Sequence, residues 1–499
     1  MPYRLPIALS TVFVLGGLAL RLHGVTDPVL TFHPTRQYRS AIIARSCYYE
    51  HLDSATPEMR QVARANRDMQ PAGEPPLLEW MACTAYRAAG REILAIPRTV
   101  SAVAWVLGVI PLALMARRTV SRGAALVAIT IYLFAPYGVV ASRAFQPDPL
   151  MTSCSLLAIW LLVRNHERST RGALAAAATA VAVALVVKPM SLFLVVPAAV
   201  GLAIARSGIV GAARDRRLVG QLVLGLLPAT ILYGYSTIFG TLARDQWQMR
   251  FVPALLPTRF FWNGWLTQIG RVFGLPLLAA GVAGAFCARE VWMRRLLAWL
   301  WLGYVAFAVG FTYHVPTHDY YHLPFLPVAA LGAAVVVDRL LSVMASSTGR
   351  ARLEGAAAAL ACAVAVAGSV TVWPNLTTDN SARLRDYEQI GELCAHDARV
   401  LFLDHEYGYP LMYHSGVSGD SWPSSDDLAA EALGGASPIA ADERFMRDFA
   451  GYAPHYFVAT DLLSLDAQPD LQELLRARTA LVAATPTYRV YRFNGWPRG

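Results

Sequence analysis

The sequence predicts a polytopic α-helical membrane protein with about eleven transmembrane helices and a small C-terminal α/β domain facing the periplasm. Three observations predict it. Of 499 residues, 55% are hydrophobic and only 15% are charged, where soluble chains carry nearer a quarter charged residues. Apolar runs long enough to span a bilayer recur from residue 5 to residue 373. Beyond residue 375 the chain gains charge, proline, glycine and the periodicity of a soluble domain.

A spanning helix needs about 20 mostly apolar residues. Segments at 5–24, 97–115, 124–141, 149–163, 172–187, 190–205, 218–238, 272–288, 296–312, 323–337 and 354–373 are candidates, several of them short or interrupted by proline. The run Leu5–Leu20 is followed by no small-residue cleavage site and by many further spans, so it is expected to be the first span and not a signal peptide. Arginine sets the orientation. Arg117, Arg118 and Arg122, then Arg164, Arg168 and Arg171, then Arg206, Arg214, Arg216 and Arg217, then Arg289, Arg294 and Arg295, then Arg339, Arg350 and Arg352 occupy alternate loops. With Arg4, these loops are expected to be cytoplasmic. The N-terminus is then inside, and an odd number of spans leaves the C-terminus outside, in the periplasm of an inner-membrane protein. The net charge of +9 is accounted for by these loops and does not call for nucleic acid; membrane lipids are the expected surroundings.

Residues 1–374 are read as the membrane domain and 375–499 as the soluble one. The first external loop, 25–96, is too long for a plain connection. Its stretches 36–50 and 76–90 have the pattern of amphipathic helices that lie in the membrane interface. The loop 239–271 carries Trp247, Phe251, Phe260, Phe261, Trp262 and Trp265. These suit an interfacial aromatic belt or a lid over a lipid substrate. In the tail, Val400–Leu403 and His455–Ala459 read as buried strands, Asp426–Leu433 and Leu471–Arg478 as helices, and Tyr488–Phe493 as an alternating strand. The six cysteines form no CxxC pair and no zinc motif. Cys47 and Cys83 share the first loop, where a bridge between them is one possibility.

Polar groups in a bilayer cost free energy, so their positions carry information. Several gather at the external face. Asp148 directly precedes a span. Lys188, the only lysine in the chain, lies where one span ends and the next begins. His318, Asp319, Tyr320, Tyr321 and His322 follow one another before a later span, and the first loop adds His33, Arg36, Gln37 and Glu74. Each also has an ordinary structural explanation. Asp148 would suit a helix N-cap, Lys188 would snorkel to the interface, Arg36 would be a surface charge, and Tyr320 and Tyr321 would belong to an aromatic belt. Together, acids, bases and cations at one face suit an anionic substrate. A cation would neutralise a phosphate leaving group, and a carboxylate or histidine would accept a hydroxyl proton.

Six stretches of this chain, in order, resemble the GT-C superfamily of integral-membrane glycosyltransferases, in particular bacterial relatives of protein O-mannosyltransferase and of the lipid A aminoarabinose transferase. They are FHPTRQYRSAIIARSCYYE, EPPLLEW, PRTVSAVAWVLG, ASRAFQPDPLMTSCSLLAIWLL, VVKPMSLFLVVP and HDYYHLPFLPVAAL. The resemblance implies a GT-C fold, a polyprenyl-phosphate-linked sugar donor, inversion at the anomeric carbon, and a lipid, glycan or protein acceptor outside the cytoplasm. It places Asp148 at the family's acidic position before the fourth span and Lys188 at the basic position near the donor phosphate, with Arg36, Gln37, His318 and Tyr321 as further donor-phosphate candidates. Glu74 falls where relatives place an acidic or metal-contacting residue, which makes a divalent metal conceivable there. Many relatives carry an Asp-Glu pair in the first loop. Here that place reads Arg36-Gln37, and His33, Asp27 or Glu74 would have to supply the base. The competing reading of the same residues is a transporter or flippase of a lipid-linked substrate, although no internal repeat of the kind such proteins carry is evident.

Overall fold

In the computed structural model the described residues are 4–70, 74–239, 250–344, 349–397, 399–433 and 435–495; Trp247, singled out in the sequence, lies outside them. The chain forms two compact units. One comprises Met1–Val25, Ala72–Leu77 and Arg98–Thr377, and the other Thr26–Pro71, Leu78–Pro97 and Thr378–Gly499. The sequence reading grouped the loop 25–96 with the membrane domain; by compactness most of it falls in the same unit as the C-terminal segment.

The first unit is all-helical. The apolar segments expected from the sequence are helical, including Arg4–Leu22, Asp148–Arg168, Arg171–Val187, Leu192–Ala213, Arg216–Ile238, Val291–Gly310, Leu326–Met344 and Arg350–Leu376, while 97–115 and 124–141 are each broken into two helices, Ala95–Leu107 with Val109–Ala116 and Arg122–Phe134 with Pro136–Ala141. Among the described residues five helices are long and apolar enough to cross a membrane. A sixth arises if Arg259–Val272 and Leu275–Cys287, bent by 92°, count as one span, and three shorter apolar helices accompany them. The chain is therefore an integral membrane protein.

Helices of this unit meet through small residues, as expected where no hydrophobic effect drives helices together. A Cβ on Gly284 would lie 2.4 Å from the Gly332 Cα, and one on Gly303 would lie 2.2 Å from the Phe193 carbonyl oxygen. Prolines interrupt the helices, and the backbone groups they release find partners, as a bilayer requires. Pro136 lacks the N–H that would reach the Tyr132 carbonyl, and the Trp105 indole donates to that carbonyl instead (3.3 Å). Arg21, fully buried, donates from Nη1 to the Leu133 carbonyl (2.9 Å) and from Nε to Ser142 Oγ (2.6 Å). A buried arginine in the first span was not expected from the sequence.

The second unit combines three helices of the first loop with an α/β layer. Pro34–Glu50 and Leu77–Ala89 fall where the sequence placed helices; Pro57–Asp68 had no prior expectation. Pro34–Glu50 buries Tyr38, Ile42 and Tyr48 inside the unit, while Leu77–Ala89 exposes Trp80 and Met81. Cys47 and Cys83 form a disulfide between them. The five-stranded sheet has the order β2-β1-β3-β5-β4, with β1 Val400–Leu403, β2 Gly419–Ser421, β3 Tyr456–Ala459, β4 Thr479–Ala484 and β5 Arg489–Phe493. β1 runs parallel to β2 and β3, and β5 antiparallel to β3 and β4. Trp422, Phe445, Phe457, Leu471 and Leu475 form a core beneath it. β4 escaped the sequence reading because it follows the helix Pro469–Arg478 directly and is mostly exposed, so no turn residue or alternation marks it.

The loop helices and the α/β layer are joined by buried polar groups. The Arg45 guanidinium donates to Glu92 (3.0 Å) and to the Tyr413 carbonyl (2.6 Å), and lies 3.5 Å over the Tyr413 ring. The Tyr413 hydroxyl donates to Glu92 (2.9 Å), and Asn66 donates to the Val417 carbonyl (3.2 Å). His414 Nε2 is 2.7 Å from the Tyr38 hydroxyl. Burial, with the nearby Arg45 charge, pushes the His414 imidazole down to about 3. The unfolded chain takes up this proton near pH 6.5 and the folded one does not. Its contribution is thus fully present above that pH and is lost as pH falls toward 3. We expect the unit to lose about 2 kcal/mol between pH 6.5 and about pH 5 through this group, and His414→Gln to flatten that slope. Hydrogen exchange of the β1 amides across this range measures both.

Candidate functional site

Two proline-marked helix breaks place the central pair of the first unit. Pro189 disfavours the helical region for the residue before it. Lys188 accordingly ends the helix Arg171–Val187 in an extended conformation (φ −161°), so its side chain leaves the helical path. In Pro147-Asp148-Pro149 the helix Asp148–Arg168 starts with Pro147 as its N-cap. Asp148 is therefore the first helical residue and not the cap, and its carboxylate accepts from Lys188 Nζ at 2.7 Å. Both side chains are buried, with 1% and 4% exposed. Removing two charges from water is costly, and their attraction offsets that cost only in close geometry. A carboxylate at a helix N-terminus gains further from the helix dipole.

The pair is not saturated. Asp148 Oδ2 is buried without a hydrogen-bond partner, as are both amide atoms of Gln146 and the Ser191 hydroxyl. Lys188 donates one hydrogen bond among the described residues, and its ammonium lies 5.5 Å and 5.6 Å from the Tyr320 and Tyr321 ring centres, within cation–π range. Tyr321 packs in turn on Tyr320, His318, His314 and Phe307. His318 Nδ1 is 2.7 Å from Thr317 Oγ1. The neighbouring Asp319 accepts from the Tyr137 hydroxyl (2.7 Å). On this aromatic wall, Arg250 lies over Phe311 (5.6 Å), which itself meets Tyr321. His322 is different in kind. Its Nδ1 is 2.5 Å from the Tyr304 hydroxyl and its Nε2 donates to the Val315 carbonyl (2.9 Å). With both nitrogens engaged and no exposed surface, it braces the structure.

Asp148, Lys188 and Tyr321 thus come together, with His318 beside Tyr321. Glu74, half-buried in the same unit, lies within electrostatic reach of Tyr233, whose hydroxyl donates to the carbonyl of Val186, two residues before Lys188. His33, Arg36 and Gln37 belong to the second unit. His33 precedes the helix Pro34–Glu50 in the left-handed region (φ 40°), a conformation costing a non-glycine residue about 1 kcal/mol. The Gln37 amide donates to the Phe32 carbonyl (2.5 Å). Arg36, half-buried, sits in the first helical turn. Tyr137 and Gln146 were missed in the sequence: Tyr137 follows a proline inside an apolar run, and Gln146 stands two residues before Asp148. Both carry the signal that an uncharged polar group at membrane depth needs a reason.

The metal conceivable near Glu74 lacks a matching donor set. Among the described residues the grouping with metal-ligand spacing is Cys47, His51 and Cys83, and its two cysteines are joined in the disulfide. No step is derived through a metal.

The fold is that of the GT-C membrane glycosyltransferases, as the sequence motifs suggested. Residues 73–233 match the family described as dolichyl-phosphate-mannose-protein mannosyltransferase. The chain superposes on the crystal structure of ArnT from Cupriavidus metallidurans in the apo state, with a TM-score of 0.60 and 15% identity over 96% of this chain and 97% of that one. The undecaprenyl phosphate-bound form of ArnT gives a TM-score of 0.56, also at 15% identity, over 98% and 97%. The arabinofuranosyltransferase AftD from mycobacteria gives a TM-score of 0.52 at 15% identity over 99% of this chain and 40% of that one. No curated protein sequence matches.

If the buried pair stabilises as a unit, Lys188→Met alone leaves Asp148 charged and unpaired, and the loss is expected to reach about 3–5 kcal/mol. Combining it with Asp148→Asn should restore much of that loss. A double-mutant cycle of thermal unfolding in detergent measures the difference; additive losses would show that the two side chains are not coupled.

Proposed function

We propose that this protein is an inverting glycosyltransferase that moves a sugar from a polyprenyl-phosphate donor to a lipid, glycan or protein acceptor on the periplasmic side of the inner membrane. The observation that carries the reading is the buried, incompletely satisfied Asp148–Lys188 pair facing Tyr320 and Tyr321. The GT-C fold and the undecaprenyl phosphate bound by ArnT support the donor class.

In this reading the acceptor oxygen attacks the anomeric carbon, the bond from that carbon to the phosphate oxygen breaks, and the polyprenyl phosphate leaves with the electron pair. Lys188 meets the charge developing on the phosphate, where a preorganised cation in a dry site is most effective. His318 and Tyr321 shape the phosphate pocket beside it. Asp148, hydrogen-bonded to Lys188 Nζ, holds the ammonium aimed at the phosphate. The acceptor's proton then goes to Glu74 or His33. The topology proposed with this mechanism puts the N-terminus in the cytoplasm and the C-terminal unit in the periplasm. The alternation of arginine-rich loops supports it, as does the Cys47–Cys83 disulfide, a bond that persists in oxidising compartments.

Membranes containing the protein should transfer label from at least one member of a panel of polyprenyl-phosphate sugars. Lys188→Ala and Asp148→Asn are each expected to lower that transfer by about a hundredfold or more while the protein stays folded; undiminished turnover of the purified variants would refute the assignment. A reporter fused at Gly499 is expected to be active only in the periplasm, and activity confined to the cytoplasm would overturn the topology.

A further inference from the structure

The second unit contains a cavity of about 600 Å³, within the range of small-molecule sites. It opens at the carboxyl ends of β1 and β3. β2 lies on one side of β1 and β3 on the other, so the chain reverses its direction of winding between β1 and β3. The crevice at such a reversal, beyond the carboxyl ends of parallel strands, is where open α/β sheets bind ligands. Asp404 directly follows β1, and Thr460 and Asp461 directly follow β3; all three line the cavity, with Arg383 and Tyr387 from the helix Ser381–Leu393.

Most charged groups here are already matched. Glu406 pairs with Arg383 (2.6 Å), and Asp461 with His405 (3.1 Å). Asp461 also caps the next helix through the Ser464 amide (3.0 Å). Asp404 is not matched in this way. Its side chain belongs to a residue only 3% exposed. Oδ1 accepts from the Glu406 amide (3.2 Å), but Oδ2 is buried with no hydrogen-bond partner, and so is the hydroxyl of Thr460. A buried polar atom without a partner costs about 1–3 kcal/mol, and a cavity lined by two of them is completed by a polar ligand.

We propose that this cavity binds a neutral carbohydrate ring. The two unmatched atoms are a carboxylate acceptor and a hydroxyl that both donates and accepts. Neighbouring sugar hydroxyls supply both functions at once; an ammonium supplies donors only. The side chains of Tyr387, Tyr488, Leu462 and Pro486 offer apolar surface to the C–H face of a sugar. The carboxylates do not converge as metal ligands, since no grouping with metal-ligand spacing among the described residues includes them. Burial, with Glu406 beside it, pushes the Asp404 carboxyl up to about 7.

The inference does not depend on the transfer reaction, because its test reads binding alone. Saturation-transfer NMR on the full-length protein in nanodiscs would use D-glucose, D-galactose, D-mannose and D-arabinose as probes, with D-glucosamine as the amine-bearing counterpart of D-glucose. At least one neutral sugar is expected to bind saturably. Asp404→Asn and Thr460→Val, both close in volume to the native residues, are each expected to raise its Kd about tenfold, the loss of one hydrogen bond to a charged or buried group. Should Asp404→Asn fail to fold, Thr460→Val carries the test. Binding unchanged in the variants, no saturable binding of any neutral sugar, or binding of D-glucosamine alone would each overturn the proposal.

Discussion

The bilayer forbids unsatisfied backbone, and the first unit is organised around that constraint. A chain confined to continuous helices would present only side chains to its interior, with no backbone groups released there. The breaks at Pro136, Pro147 to Pro149 and Pro189, and the short 3-10 stretch Asp319–Phe325 ahead of the helix Leu326–Met344, are where polar groups become possible. Each break releases backbone groups that something must satisfy. Trp105 and Arg21 do so beside Pro136, and that same break carries Tyr137, which donates to Asp319. Asp148 and Lys188 stand at two of the others. The positions proposed to carry chemistry are thus the positions where the helical pattern fails.

The energetics of the pair point in the same direction. A buried ion pair is weak evidence for stability, because desolvation takes back most of what attraction gives. A pair serving stability alone would be expected to have its remaining lone pairs and protons satisfied by neighbours. Here Asp148 Oδ2, the Gln146 amide and the Ser191 hydroxyl are all buried and unmatched. That concentration within a few residues of Asp148 and Lys188 sets the region apart from Arg21, whose guanidinium finds Ser142, Gly17 and Leu133. Among the described residues, one cluster of buried polar groups is matched within the protein and the other is not.

Much of the first unit was legible in the sequence because its signal is long-range and redundant: the apolar segments are helical. Asp148 and Lys188 stood out in the sequence because charged groups are rare at membrane depth. What the sequence did not show was their partnership, since they are 40 residues apart and each has a sufficient local explanation as a cap or a snorkelling side chain. The N-cap explanation failed for a reason visible only in the backbone: Pro147 occupies that position. In the second unit the strands β1 and β3 were legible as short, continuous apolar runs, whereas β4, exposed and alanine-rich, left no pattern. The union of the first-loop helices with the α/β layer rests on Arg45, Glu92 and Tyr413, residues far apart in the chain and individually ordinary for a surface.

The two candidate sites differ in the sign of what they lack, and this separates their ligands. In the first unit the group with donors to spare is a cation, Lys188, set against aromatic faces. A site of the proposed kind would favour anions over neutral polyols, because a desolvated ammonium gains far more from a phosphate than from a hydroxyl. In the second unit the group lacking a partner is the acceptor Asp404 beside a neutral hydroxyl, with the nearby Arg383 already committed to Glu406. The two proposed sites therefore call for ligands of different polarity, an anion at Lys188 and a neutral polyol at Asp404.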